Sequence, residues 1–253
     1  MKIVVLAQDS ASTWMMTNAL RTVSPNISVM IEQPVSRQVM LKRRATRLGF
    51  WPVLGQILFM ALVPLLSASA RQRRSELVAQ AGLRTSRPAG IEISECASVN
   101  SAECVDWLRA AQADVVVVNG TRIISGDVLA ATNATFLNTH CGITPAYRGV
   151  HGGYWAVYQN DGANAGVTVH LVSPGIDTGD ILYQSSIEVD ARDNFATYPL
   201  KQYIAGIPLM IKAIADIAAG HVNTFKRDDL PSKLWHHPTL WQYLYARVLR
   251  GVR

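Results

Sequence analysis

Short apolar runs rich in β-branched residues punctuate the chain, and between them apolar residues return at the spacing of amphipathic helices. The first run is residues 3–7, Ile-Val-Val-Leu-Ala, followed by Gln8-Asp9-Ser10 and a helical stretch over 12–23. Residues 27–31 read as a second strand and 91–94 as a weaker third. Ser101 is placed to cap a helix carrying Cys104, Val105 and Leu108, and Asp114 then opens Val115-Val116-Val117-Val118, the clearest strand of the sequence. Another short strand begins at Phe136-Leu137. Residues 167–172 alternate as a partly exposed strand, with 181–184 and 186–189 pairing beside it near the sheet edge. A helical period returns over 198–218. Apolar strands alternating with helices predict an α/β domain with a doubly wound, mostly parallel sheet buried on both faces.

One stretch departs from that alternation. An insert at about 36–82 separates the second strand from the third, and within it residues 48–70 carry no charge over 23 positions. That length alone suffices to cross a bilayer. Pro52, Pro64 and Gln56 interrupt the run, and cationic flanks at both ends give no orientation bias. Spanning would also strand the two halves of the sheet on opposite sides. The expectation is therefore an apolar helical hairpin that dips into an anionic membrane surface or packs on the core or a second subunit, making a homo-oligomer.

Charge sharpens this picture. The chain has 253 residues and a net charge of +6. The insert holds Arg37, Lys42, Arg43, Arg44, Arg47, Arg71, Arg73 and Arg74 against the single Glu76, so the remainder is close to neutral. The basic excess belongs to one element and does not describe a nucleic-acid-binding surface. With 49% apolar and 17% charged residues the chain is neither disordered, collagen-like nor a coiled coil. Its three cysteines, Cys96, Cys104 and Cys141, form no C-x-x-C pair, which excludes a disulfide framework and a cysteine-based zinc site. Met1-Lys2 leads directly into the first strand without a leader, so the expected setting is cytoplasmic, with the insert against the inner membrane surface. Residues 1–220 are expected to form the main domain, and 221–253, rich in Trp, His, Tyr and Arg, a short C-terminal appendage.

Candidate chemistry is concentrated between Asn119 and Leu182. Asn138 and His140 stand two apart after an apolar pair, so at a strand end they point the same way. In an open parallel sheet the carboxyl ends of the strands form the ligand crevice. Asp177 lies in a loop with Pro174, Gly175 and Gly179 that must turn tightly. Together these supply a neutral donor, a titratable group and an anion, the set that acyl transfer requires. Each residue taken singly is better explained as a cap or a turn former; the set is what points to function. Cys141 needs only to be small, His170 reads as a strand residue in polar surroundings, and His236-His237 lacks a Glu or Cys at metal spacing, so no metal site is expected.

Asn138-Thr139-His140, Pro145 and Asp177-Thr178-Gly179-Asp180 resemble, in order and spacing, the signature of the folate-dependent formyltransferases. That family includes glycinamide ribonucleotide transformylase, the catalytic domain of methionyl-tRNA formyltransferase and nucleotide-sugar N-formyltransferases. The resemblance covers roughly residues 1–220, is densest over 114–182, and implies the Rossmann-like formyltransferase fold. It further implies 10-formyltetrahydrofolate as formyl donor, with the pterin against the backbone of Arg122, Ile123 and Ile124 and the loop containing Ser173, Gly175 and Gly179. Asn138 and a protonated His140 would stabilise the oxyanion formed when a neutral amine attacks, and Asp177 would hold His140 and relay the proton. Ser10, Ser12, Thr13 and His151 are the candidates for the acceptor side.

Several departures narrow the acceptor. The loop 8–13 lacks the Gly-rich phosphate cradle of the ribonucleotide enzyme, and Gly142-Ile143-Thr144 replaces the family's Ser-Leu-Leu. The short stretch after residue 220 leaves no room for a tRNA-binding domain. The resemblance then implies a small-molecule primary amine as acceptor, a nucleotide-linked amino sugar by elimination. The competing readings are glycinamide ribonucleotide transformylase, formyltetrahydrofolate hydrolase, and a non-enzymatic membrane-bound folate-binding or scaffold protein.

Overall fold

The computed structural model describes residues 1–66 and 70–253. In chain order the elements are β1 (Ile3–Ala7), α1 (Ala11–Leu20), β2 (Ile27–Glu32), α2 (Arg37–Leu48), α3 (Phe50–Leu66), α4 (Ala70–Gln80), β3 (Glu92–Cys96) and α5 (Ala102–Ala111). They continue with β4 (Val115–Asn119), α6 (Gly126–Leu129), β5 (Thr135–His140), β6 (Arg148–Gly149), α7 (Gly152–Tyr158) and a 3-10 turn at Gly162–Asn164. The last are β7 (Gly166–Leu171), β8 (Ile181–Ser186), α8 (Tyr198–Ala218), β9 (Leu234–Trp235) and α9 (Leu240–Leu249).

Seven strands form one sheet in the order β3-β2-β1-β4-β5-β7-β8, parallel from β3 to β5 and antiparallel at β5–β7 and β7–β8. Successive residues of the central strands enter opposite cores, as the period of two requires. Ile3, Val5, Val115 and Val117 pack beneath α1 and α8, whereas Val4, Leu6, Val116 and Val118 pack beneath α5. This is why the runs are apolar throughout. Ser101 caps α5 as expected, accepting from the Cys104 N–H.

The strand expected to be partly exposed is buried through His170. α8 covers it, and it does so closely because Gly206 lies where a Cβ would stand only 2.8–2.9 Å from Thr139 and Val167. The two segments expected beside it are one edge strand, β8, since Ser186 continues the pairing with Gly166 and the strand ends there, with the Ile187 N–H still donating to the Ala165 carbonyl at 2.7 Å.

Residues 67–69 of the apolar run in the insert lie outside the described residues; residues 50–66 of the run fold as one helix, α3, between the polar helices α2 and α4, where two apolar helices were expected. Pro52 does not break it because it sits in the first turn, where the missing N–H costs no intrahelical bond. Phe59 and Val63 of α3 pack with Tyr154 and Trp155 of α7 and with Tyr243 and Ala246 of α9, forming a third apolar cluster. Arg73 of α4 ties the insert to the loop before α8 through Asp190 at 2.9 Å and Asp193 at 3.6 Å. The opposite face of this unit is apolar and exposed: Phe50, Trp51, Leu62 and Leu65 on α3, with Trp241, Leu244, Val248 and Leu249 on α9. Among the described residues no helix is long and apolar enough to cross a membrane.

Candidate active site

The carboxyl ends of β4 and β5 open into a crevice of about 490 Å³, bounded on one side by the segment 120–124 and on the other by the loop 172–178. Asn138, His140 and Asp177 all line it. Asn138 and His140 reach it because they are alternate residues at the end of β5. Asp177 reaches it because its backbone takes the left-handed conformation, φ 51°, which an Asp tolerates better than most residues. Gly179, just behind, must be glycine, since a Cβ there would overlap the Leu171 carbonyl at 1.6 Å.

Asp177 is the hub. Its Oδ2 accepts from the Gly149 N–H at 2.9 Å and stands 3.3 Å from His140 Nδ1. Its Oδ1 accepts from the Asn138 amide at 3.4 Å and lies 3.8 Å from His170 Nε2. Burial alone would raise this carboxyl, but the adjoining His140, the His170 contact and the Gly149 N–H together hold it at about 2. It is therefore an anion throughout the neutral range.

His140 is pulled two ways. Burial pushes its pKa below the ordinary histidine value, while Asp177 and the Tyr147 carbonyl favour the charged ring. Burial prevails, so its pKa lies below the ordinary histidine value. Its Nε2–H donates to the Tyr147 carbonyl at 2.7 Å, and its Nδ1 faces Asp177 Oδ2 at 3.3 Å. A proton on Nδ1 would lie between the ring and the carboxylate. Gly142 makes this fit possible, because a Cβ there would sit 2.6 Å from His140 Nε2 and 2.2 Å from the Tyr147 carbonyl.

The sequence missed His170. It lies directly opposite Asn138 across the β5–β7 pair, is only 3% exposed, and donates from Nδ1 to the Leu171 carbonyl at 2.8 Å. Its Nε2 lies 3.1 Å from the Asn138 amide nitrogen. Strand register, which no sequence pattern reveals, brings them together. His237 was also missed: its Nδ1 is 2.9 Å from His151 Nε2 at the crevice mouth. Burial, then the neighbouring His237 and Arg44, holds His151 down to about 3, and burial with Arg44 holds His237 at about 4, so the pair is neutral.

The donor-side candidates are brought together. Arg122, Ile123, Ile124, Ser173 and Gly175 line the crevice, with Gly179 supporting the loop from behind. The segment 122–124 is held by buried Glu32, which accepts from the Arg122 N–H at 2.9 Å and pairs with its guanidinium at 3.1 Å. Asn100 adds a bond to the Ile123 carbonyl at 2.9 Å. Ser10, Ser12 and Thr13 stand outside the crevice lining. Ser10 caps α1, Thr13 is fully buried and donates to the Gln8 carbonyl at 2.6 Å, and the Asn119 amide donates to Thr13 at 2.9 Å and to Ser12 at 3.4 Å. The Cys141 thiol is pushed up to about 12 by burial and by Asp177, which keeps it protonated and poorly nucleophilic. Among the described residues no group of His, Cys, Asp and Glu is arranged to hold a metal.

A doubly wound sheet thus brings Asn138, His140 and Asp177 together at its carboxyl edge. The chain belongs to the formyl transferase family, whose model matches residues 63–213; the members of that family are enzymes that move formyl groups. It is 29% identical over 145 residues to the methionyl-tRNA formyltransferase of Solibacter usitatus, an alignment covering 57% of this chain and 46% of the relative. It thus spans about half the length of the curated relatives it matches. The fold is that of glycinamide ribonucleotide transformylase 1 from Symbiobacterium toebii, with a TM-score of 0.57, 20% identity, and 87% and 88% of the two chains covered. It is also that of the N-formyltransferase from Helicobacter canadensis, solved with folinic acid and dTDP-3-aminofucose, with a TM-score of 0.56, 16% identity, and 93% and 70% covered.

Proposed function

We propose that this protein transfers the formyl group of 10-formyltetrahydrofolate to the primary amine of a small molecule, a nucleotide-linked amino sugar. The observation that carries the reading is the convergence of Asn138, His140 and His170 on the Asp177 carboxylate. The neutral amine adds to the formyl carbon, placing negative charge on the formyl oxygen. Asn138 exchanges one of its two inward bonds for that oxygen, and its amide dipole is already oriented by His170. The proton leaving the attacking nitrogen passes to His140 Nδ1 beside the anionic Asp177, and the carbon–N10 bond of the folate then breaks as N10 gains a proton. The amino-sugar acceptor is supported by the ligand held by the Helicobacter canadensis neighbour and by the lack of a free hydroxyl cradle at 10–13.

The pterin would be read by the N–H groups of Ile123 and Ile124, since the Arg122 N–H and the Ile123 carbonyl are taken by Glu32 and Asn100. Calorimetry with 5-formyltetrahydrofolate tests this. Ile123→Val, at an exposed side chain, should change affinity less than threefold. Ile124→Pro, which removes an N–H and fixes the backbone, should abolish binding. Equal affinities in the two variants would move the donor elsewhere.

The exposed face of α3 and α9 is the part of the insert that would meet an anionic bilayer. Large apolar side chains fill it, and Arg71, Arg74 and Arg250, exposed and close in sequence to the ends of α3 and α9, would each be attracted to anionic headgroups by about 1 kcal/mol near the surface. Flotation with anionic vesicles should carry the protein upward at low salt and release it at high salt. Protein that stays at the bottom in both, and sediments as a dimer that Trp51→Ser/Leu65→Ser dissociates, would assign the face to a second copy.

A further inference from the structure

A second cavity, of about 800 Å³, adjoins the transfer crevice and shares with it Ile123, Gly149, Val150, Ile176 and His237. Its outer wall is the insert helix α2, which contributes Arg43, Arg44 and Arg47. Among the described residues no Asp or Glu lines this cavity. Arg44 is half-buried and its Nη1 has no partner, and the buried Gln56, 3% exposed, donates to the His237 carbonyl at 3.0 Å while its Oε1 is unpartnered. The half-buried Arg44 guanidinium with an unpartnered Nη1, beside two more guanidiniums in the same wall, is suited to an anion that completes it.

We infer that this cavity binds the phosphate or diphosphate group of the amine acceptor, with the insert arginines as its ligands. The inference rests on the proposed transfer reading for the word acceptor, and on the cavity itself for the anion. Charge selects the ligand class: three cations in one wall match a group of charge −2 to −3 better than a single carboxylate, and Arg is the side chain suited to phosphate oxygens. The field of these arginines already reaches the site, since after burial Arg44 is the main influence holding His237 low, and Arg47 and Arg44 act likewise on His236. The shared wall at Gly149 and Val150 sets the direction. An acceptor anchored by its phosphate beside α2 lays the rest of its length across Gly149, whose N–H is bound to Asp177, toward the reacting atoms. Because α2 belongs to the insert, the anion site arises from an element outside the alternating strands and helices of the core. It therefore supplies what the loop 8–13 does not.

The test uses the intact protein, with inorganic pyrophosphate and UDP as soluble probes and vesicles containing phosphatidic acid as the lipid-borne one. Calorimetry should detect pyrophosphate and UDP binding to the unmodified protein. Arg44→Gln and the double variant Arg43→Gln/Arg47→Gln should each weaken it at least tenfold. Arg43 and Arg47 are exposed, so the double variant leaves the core untouched. Binding of 5-formyltetrahydrofolate should be unchanged in all variants, which separates failure of the anion site from failure of the transfer reading. If phosphatidic-acid vesicles are retained through the same arginines while UDP is not, the phosphate is lipid-borne; the converse makes it soluble. Absence of pyrophosphate and phosphatidic-acid binding to the unmodified protein, or equal binding by the arginine variants, would overturn the assignment.

Discussion

Asp177→Asn should lower the rate of formyl transfer by at least roughly 10²–10³-fold, and Asn138→Ala by a similar factor, the loss typical of removing one group that stabilises developing charge. The Asp177 variant is the cleaner of the two. Asn adopts the left-handed backbone as readily as Asp, so the strained turn at φ 51° is kept and only the charge is lost. The amide can still accept from the Gly149 N–H, but it no longer presents an anion 3.3 Å from His140 Nδ1, and the proton delivered there loses its counter-charge. The double variant should be little slower than either single one, because the groups act as a unit. Single-turnover transfer at saturating donor is the measurement. Wild-type rates in Asp177→Asn would remove this residue from the chemistry.

Glu32→Ala should be the most destabilising single change near the site. Glu32 is buried at the end of β2 and accepts from two backbone donors, Val99 N–H and Arg122 N–H, both at 2.9 Å, while its carboxylate faces the Arg122 guanidinium at 3.1 Å. Truncation leaves two N–H groups and a largely sheltered cation unmatched, a loss of about 3–5 kcal/mol for breaking such a pair from one side. For a chain of this size that corresponds to a fall in Tm on the order of 10 °C. The Arg122 side chain also bridges the Gln33 and Ala97 carbonyls at 2.8 Å, so the segment 122–124 loses its anchor and folate affinity should fall with stability. Glu32→Gln, which retains the shape and one acceptor, should lie between the two. A melting curve unchanged by Glu32→Ala would show that other contacts hold this loop.

The sheet was legible because its strands are buried on both faces: Ile3–Ala7 and Val115–Asn119 can satisfy no other pattern, and their alternation into two cores follows from the period alone. Tyr198–Ala218 was legible for the complementary reason, a long stripe at helical spacing with one buried side. The insert was misjudged in part because Pro52 counts as a breaker in the sequence pattern, whereas it falls in a first turn that does not need its N–H. The convergence of Asn138, His140 and Asp177 on one crevice was legible from strand-end spacing, turn chemistry and family resemblance. His170 was not, because its partner is set by β5–β7 register, and His237 was not, because it meets His151 across 86 positions of sequence. The uses of Ser10 and Thr13 as cap and buried donor were likewise invisible, since a hydroxyl in a loop carries no mark of whether the backbone has already claimed it.

The most direct test of the central claim is turnover of 10-formyltetrahydrofolate by the unmodified protein, followed spectroscopically with and without a panel of nucleotide-linked amino sugars. The account predicts release of tetrahydrofolate in step with an N-formyl product, only when an amine is present, and near-complete loss of both in Asp177→Asn. Donor consumption at the same rate without any amine, or no consumption with every amine despite tight folate binding, would contradict it.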